Sequence, residues 1–306
     1  MNSGNASKIV QNSPLRPERP RELQDPLNYY LYHPLAWQLA LVLARTPLTP
    51  NAVSVMGAML VVAASASYTQ LAWPLSAALG MALHMSWHVV DGADGDLARL
   101  TGRSSPIGEM VDGLCDYLSH AVLYVALAFW LAANAGTFAG WPAWVLVVFA
   151  GLSHAVQSNH VEVQRRQYQY WVYGTPWLRM SHSADSATAR SWAGTLVSAY
   201  IGVASGMTPH ALGIDAAVAA AAGNRARLDE IASAVRAEAG PLLLLCKVLG
   251  PNPRAIVLGL SMLAGTPLWY MLYQSVLLNA LLVISVVMHN AAAHRIAARI
   301  GAHDAA

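Results

Sequence analysis

The sequence predicts an all-α integral membrane protein of six transmembrane helices preceded by an interfacial helix. Three observations carry that expectation. Of the 306 residues, 56% are apolar and only 11% charged, against about 25% charged in a soluble domain, so the chain is too poor in charge to cover a water-facing surface. Six apolar stretches reach the ~17 to 25 residues that a spanning helix needs. The basic residues are confined to certain connections and absent from the others.

Residues 1–30 are polar and rich in proline and arginine, with no apolar run. They read as a cytoplasmic arm, and 31–306 as the membrane domain. Leu31 to Arg45 is apolar but too short to span. With Tyr29, Tyr30, Tyr32 and Trp37 around it, it reads as a helix lying in the cytoplasmic leaflet. Thr46-Pro47 ends that helix, and Thr49-Pro50-Asn51 starts the next, because proline suits a first helical position and threonine a cap. The spans then run over 52–70, 75–98, 107–134, 142–164, 255–273 and 275–292. Between the fourth and fifth, 166–253 reads as a helical insertion on the cytoplasmic side. Within it Ala189 to Met207 is expected to lie on or half within the membrane, and Arg225 to Ala239 to form a surface helix.

The connections Ser67–Trp73, Ala132–Trp141 and the one around Gln274 contain no lysine or arginine. The basic residues instead occupy the segment up to Arg45, the 99–103 turn, 165–254 and the C-terminal tail. The positive-inside rule then places both termini in the cytoplasm. Trp73, Trp130, Trp141 and Tyr273 are expected as anchors at the opposite interface. Arginine far outnumbers lysine and alanine abounds, which suggests a bacterial chain and hence the inner membrane. Cys115 and Cys246 give neither a disulfide framework nor a zinc spacing.

The segment His88 to His120 concentrates acids inside or against the bilayer, where each ionisable group is costly and a functional candidate by default. Asp91 and Asp94 are three apart and share a face of the second span. Asp112 and Asp116 are four apart and share a face of the third. The short turn at Thr101–Ser105 makes these helices antiparallel neighbours, so four carboxylates converge at the cytoplasmic end. Such charges repel unless cations lie between them, and oxygen ligands select hard ions such as magnesium, manganese or calcium. Gly95 lies one turn after Asp91 and Gly108 one turn before Asp112. Both read as room for a bulky ligand near the backbone, as close helix packing, or as both. Asp96 points roughly 140° from Asp91 and roughly 160° from Asp94, away from the site, and reads as a solvated or salt-bridged acid.

Asp91-x-x-Asp94-Gly95-x-x-Ala98-Arg99, then eight residues, then Gly108-x-x-x-Asp112-x-x-x-Asp116 resembles the full signature of the CDP-alcohol phosphotransferases, also called CDP-alcohol phosphatidyltransferases. The interfacial helix, the Thr-Pro-Asn start and the six-span layout extend the likeness over most of the chain except 175–250. The resemblance implies a membrane transferase of phospholipid biosynthesis with a CDP-linked donor, an alcohol acceptor and two Mg2+ or Mn2+ ions. In it an alcohol hydroxyl attacks phosphorus and CMP leaves. By the same resemblance Asp91, Asp94, Asp112 and Asp116 hold metal, Asp116 also takes the hydroxyl proton, and Gly95, Ala98 and Gly108 border the nucleotide. Arg99 is assigned to a carboxylate or a phosphate. The resemblance also implies a homodimer among membrane lipids, with no nucleic acid.

Two donor–acceptor pairings stay open. One is CDP-diacylglycerol with a polar alcohol. The other is a CDP-amino-alcohol with a lipid hydroxyl, because Ser104-Ser105-Pro106-x-Gly108-Glu109-x-x-Asp112-x-x-Cys115-Asp116-x-Leu118-Ser119 is similar to choline/ethanolamine phosphotransferases. A divalent-cation transporter is the competing class, since intramembrane acids also line ion pathways. It predicts acids at several depths and requires no fixed glycines. His84 and His88 are four apart and read as bundle contacts, an acceptor pocket or a metal pair. His120 reads as a substrate contact or a core hydrogen bond, and Arg165, Arg166 and Tyr168 as a phosphate site or membrane anchors.

Overall fold

The computed structural model describes residues 19–175 and 210–301, and those residues form helices and turns without strands. Ala189 to Met207 lies outside the described residues. The helices are α1 (His33–Leu43), α2 (Pro50–Gln70), α3 (Leu75–Leu100), α4 (Pro106–Asn134), α5 (Trp141–Tyr173), α6 (Ala211–Ala220), α7 (Arg225–Glu238), α8 (Leu243–Val248), α9 (Pro251–Leu263), α10 (Leu268–Leu272) and α11 (Leu278–Arg299). Among the described residues four stretches are long and apolar enough to cross a membrane: Pro50–Gln70, Ile107–Asn134, Gly240–Leu263 and Leu268–Arg299. α3 and α5, with 26 and 33 residues, have the length. Their histidines, glutamines and acids lower the apolar content.

The chain divides into two compact units. The first comprises the residues up to Asn134 with Gly259–Thr266, the second Ala135–Leu258 with the chain from Pro267 onward. In the first, Thr49 Oγ1 accepts from the Ala52 N–H at 3.2 Å and Pro50 opens α2, as the Thr-Pro pair predicts. α2 packs against both α3 and α4, and α1 against α3. The α1 face Ala36, Ala40 and Leu43 meets Val53, Ala93 and Leu97 in one core cluster. A Cβ on Gly92 would stand 3.1 Å from that of Ala36, so glycine lets α1 lie close to α3. α3 and α4 are joined by a turn with Gly102 at φ 65°. Ser105 Oγ accepts from the Gly108 N–H at 3.0 Å and so caps α4.

The described residues before α1 are held by local contacts. Leu23 and Gln24 are buried, the Gln24 amide donates to the Arg19 carbonyl at 2.6 Å, and Gln24 Oε1 lies 2.7 Å from His33 Nδ1.

In the second unit α5 packs against α7 and α11. Its apolar layer is crossed by a buried polar network. Gln157 donates to Asn279 Oδ1 at 2.7 Å, Asn279 to Ser153 Oγ at 2.8 Å, and Arg254 to Ser158 Oγ at 2.7 Å and Gln157 Oε1 at 3.2 Å. Side chains that bond one another in this way are tolerated where water is absent.

One expected boundary is corrected. Gln274, read as a connection, is fully buried within a continuous helix, in the π-helical turn Tyr273–Leu277 that links α10 to α11. Its amide donates to Gln157 Oε1, so its polarity serves helix packing. The helix is interrupted instead at Gly265-Thr266-Pro267, with Gly265 at φ 83°, a conformation that favours glycine. The apolar segment before this turn extends back to Gly240.

Candidate metal and transfer site

The α3–α4 hairpin carries all four motif aspartates. One oxygen each from Asp91, Asp112 and Asp116 lies within 4.8 Å of the other two. Asp91 is on the last third of α3, and its partners are one turn apart on the first half of α4, so two helical repeats meet across the antiparallel pair. Among the described residues this is the one group of three such side chains placed to share an ion. It is an all-oxygen, half-buried set, which fits magnesium or manganese.

Asp94 stands beside this trio rather than in it. Its carboxyl lies close to that of Asp112. Two carboxyls so close share either a proton or a cation. Its Oδ2 also accepts from Ser54 Oγ of α2 at 2.5 Å. Asp116 is held twice: Trp87 Nε1 donates to Oδ1 at 3.1 Å, and His120 Nδ1 lies 2.8 Å from its backbone carbonyl oxygen.

The small residues of the motif lie around this hairpin. A Cβ on Gly108 would come 3.2 Å from Ser105 Oγ and 3.6 Å from Asn51 Oδ1. One on Gly95 would come 3.4 Å from the Arg99 guanidinium. Ala98 is half-buried and Arg99 exposed. Arg99 reaches Asp96 Oδ1 at 2.5 Å, and Arg19 reaches the same oxygen at 2.7 Å. Asp96 is therefore salt-bridged, as one of its expected readings held, but it is 1% exposed and not solvated.

The histidines form an aromatic cluster behind Asp116. The rings of His84 and His88 are parallel within 8° at 6.4 Å, and His84 lies 5.6 Å from His120. His88 stacks on Tyr32 at 5.0 Å. Burial, with the Asp25 carboxylate adding to it, raises the Tyr32 phenol above its ordinary range, so it stays neutral. In the second unit Arg166 pairs with Glu162 at 2.6 Å and Arg165 lies 3.9 Å from it, while Tyr168 is buried.

Three contributors were not singled out in the sequence, Ser54, Trp87 and Arg19, and a fourth, Asn51, was read only as part of the Thr-Pro-Asn helix start. Trp87 had a legible sign, since it lies four residues before Asp91 and therefore on the same face. Ser54 and Asn51 sit within two turns after the Thr-Pro cap, with nothing in their spacing to set them apart. Arg19 reaches Asp96 across 77 residues, which no local pattern reveals.

Comparison with known families gives one match. The family model described as CDP-alcohol phosphatidyltransferase matches residues 47–204, a stretch that takes in α2, α3, α4 and every motif residue. No curated protein matches the chain.

Proposed function

The chain belongs to the CDP-alcohol phosphatidyltransferase family, a family of transferases that use divalent metals in phospholipid synthesis, and from that premise we propose how its own residues carry the reaction. Asp91, Asp94, Asp112 and Asp116 form the metal-holding set. Two divalent ions held there would neutralise charge on the donor diphosphate and on the departing CMP. Asp116 accepts the proton of the acceptor hydroxyl as its oxygen bonds to phosphorus and the bond from phosphorus to CMP breaks. Gly95, Ala98 and Gly108 leave space for the nucleotide, and Arg99 faces its phosphates or remains on Asp96. The observation that carries this reading is the convergence of Asp91, Asp112 and Asp116 within 4.8 Å, at positions that match the family signature.

The proposed layout has six spans, with both termini and the site in the cytoplasm of a bacterial inner membrane. Supporting it, α3 extends about 39 Å at 1.5 Å per residue, enough to cross. The turn beside the aspartates carries Arg103, and basic residues mark the cytoplasmic side. A homodimer and either donor–acceptor pairing remain part of the proposal.

Purified protein incubated with magnesium and each of CDP-diacylglycerol, CDP-choline and CDP-ethanolamine, across an acceptor panel, tests the reading through CMP release. Release with one donor class, lost in EDTA and restored by magnesium or manganese, is expected. Full turnover in chelator, or no release with any pair, overturns it.

A further inference from the structure

We propose that Trp87 is a positioning residue for the transfer reaction: its indole N–H holds Asp116 Oδ1 and so turns Oδ2 toward the acceptor hydroxyl. The proposal rests on the reading of Asp116 as proton acceptor. It concerns a side chain that is not part of the family signature.

A carboxylate on a helix rotates broadly about its last bond. A base must hold one orientation if a hydroxyl is to meet its lone pair. The Trp87 N–H, 3.1 Å from Oδ1, supplies that restraint from the neighbouring helix. The indole nitrogen is a donor only, so it steers the carboxylate without competing for the transferred proton.

The restraint is stiff because Trp87 is itself confined. It is 6% exposed. Its ring lies 4.5 Å from that of His88, and 4.8 Å edge-on from that of His120 at 70°. Beneath it lies Gly57 of α2, where a Cβ would stand 3.4 Å from the indole Cδ1. His120 in turn meets the Asp116 backbone carbonyl oxygen at 2.8 Å. Side chain and backbone of Asp116 are thus fixed by two aromatic groups that touch each other. Mere filling of this space would not need an indole. Phenylalanine would serve, and a buried indole N–H requires an acceptor.

The test separates the N–H from the ring. Trp87→Phe keeps an aromatic side chain. Site-specific replacement of Trp87 by benzothienylalanine keeps the bicyclic shape and removes only the N–H. Each is compared with wild type for CMP release, using whichever of CDP-diacylglycerol and CDP-choline the wild type accepts. Calorimetric binding of magnesium with CMP and the melting temperature in detergent are measured alongside.

Both replacements are expected to lower kcat about 10- to 100-fold, the equivalent of one hydrogen bond to a charged group. KM for the donor, magnesium-dependent CMP binding and melting temperature are expected to hold. A wild-type kcat in the benzothienyl variant overturns the proposal, because packing alone would then suffice. Loss of magnesium and CMP binding in step with turnover also overturns it, since the N–H would be serving the ligand set. Asp116→Asn is measured in parallel. If that variant turns over normally, the reading of Asp116 as base falls, and this proposal with it. If it is dead while the benzothienyl variant is fully active, only the role of Trp87 falls.

Discussion

Ser54 on α2 donates its hydroxyl proton to Asp94 Oδ2 at 2.5 Å, which ties the one motif aspartate outside the close trio to a helix beyond the α3–α4 hairpin. Ser54 also lies 3.3 Å from the Pro50 carbonyl oxygen, so its position is set by the first turn of its own helix. The Thr-Pro start of α2 thereby places the group that orients Asp94.

Ser54→Ala removes that donor and leaves the backbone intact. A hydrogen bond to a charged group contributes about 1.5–3 kcal/mol. Part of this is recovered by rearrangement or water, so magnesium-dependent CMP binding is expected to weaken about 5- to 50-fold. Calorimetry with magnesium and CMP checks it. Ser54→Thr, which keeps the hydroxyl, is expected to bind near the wild-type level. Equal binding in Ser54→Ala and wild type would mean that Asp94 is positioned by Asp112 alone.

Asp96 receives two guanidiniums on one oxygen. Asp96→Ala leaves Arg19 and Arg99 facing each other with the carboxylate gone. The arginine side chains are 24% and 48% exposed, so solvent limits the loss to about 1–3 kcal/mol rather than the larger penalty of a fully buried pair. The melting temperature in detergent is expected to fall, and that of Arg19→Gln to fall less, because Arg99 still pairs. An unchanged melting temperature in Asp96→Ala would show that the arm adds nothing to stability through this contact.

The hairpin that bears the site was legible because helical geometry converts spacing directly into faces. Asp91 with Asp94, and Asp112 with Asp116, needed only a tight turn between their helices, and Thr101–Ser105 is too short for another arrangement. The direction of Asp96 followed from the same rotation. Its partner did not, since Arg19 is remote in sequence and no period connects them. Gln274 was read as a short connection between two apolar runs, free of lysine and arginine. In an apolar layer a polar residue marks a connection or a buried network equally well, and here it bonds Gln157. The turn chemistry lay eight residues earlier, at Gly265-Thr266-Pro267. Asp94 shares a face with Asp91, but spacing alone could not foresee that Ser54 would take up one of its oxygens.

Single cysteines, introduced after Cys115 and Cys246 are replaced, test the proposed topology. Asn134→Cys, at the exposed end of α4, and Ala264→Cys, in an exposed turn, are expected to react with an impermeant reagent added outside the cell. Ala222→Cys, just before α7, is expected to be protected until the membrane is opened. Outside labelling at position 222 would require an odd number of crossings between the end of α5 and that residue.

Asp116 closes the motif one turn after Asp112 and converges with it and Asp91, while its Oδ1 is held by Trp87. A group so placed is close enough to an ion to help retain it, and has a second oxygen available for a proton. Asp116→Asn keeps the shape but loses the proton affinity and one negative charge. Removal of a positioned base typically slows a reaction ~10²- to 10⁴-fold. Turnover is therefore expected to fall by that range or more, while the CDP donor still binds with magnesium, somewhat more weakly. Asp91→Asn, which alters a ligand with no proton to accept, is expected to lower donor and metal binding together. CMP release measured beside calorimetric donor binding separates the two patterns. Near-normal turnover in Asp116→Asn would send the proton elsewhere. His120, one turn further along α4 with its Nδ1 on the Asp116 carbonyl oxygen, would then be the next residue to replace.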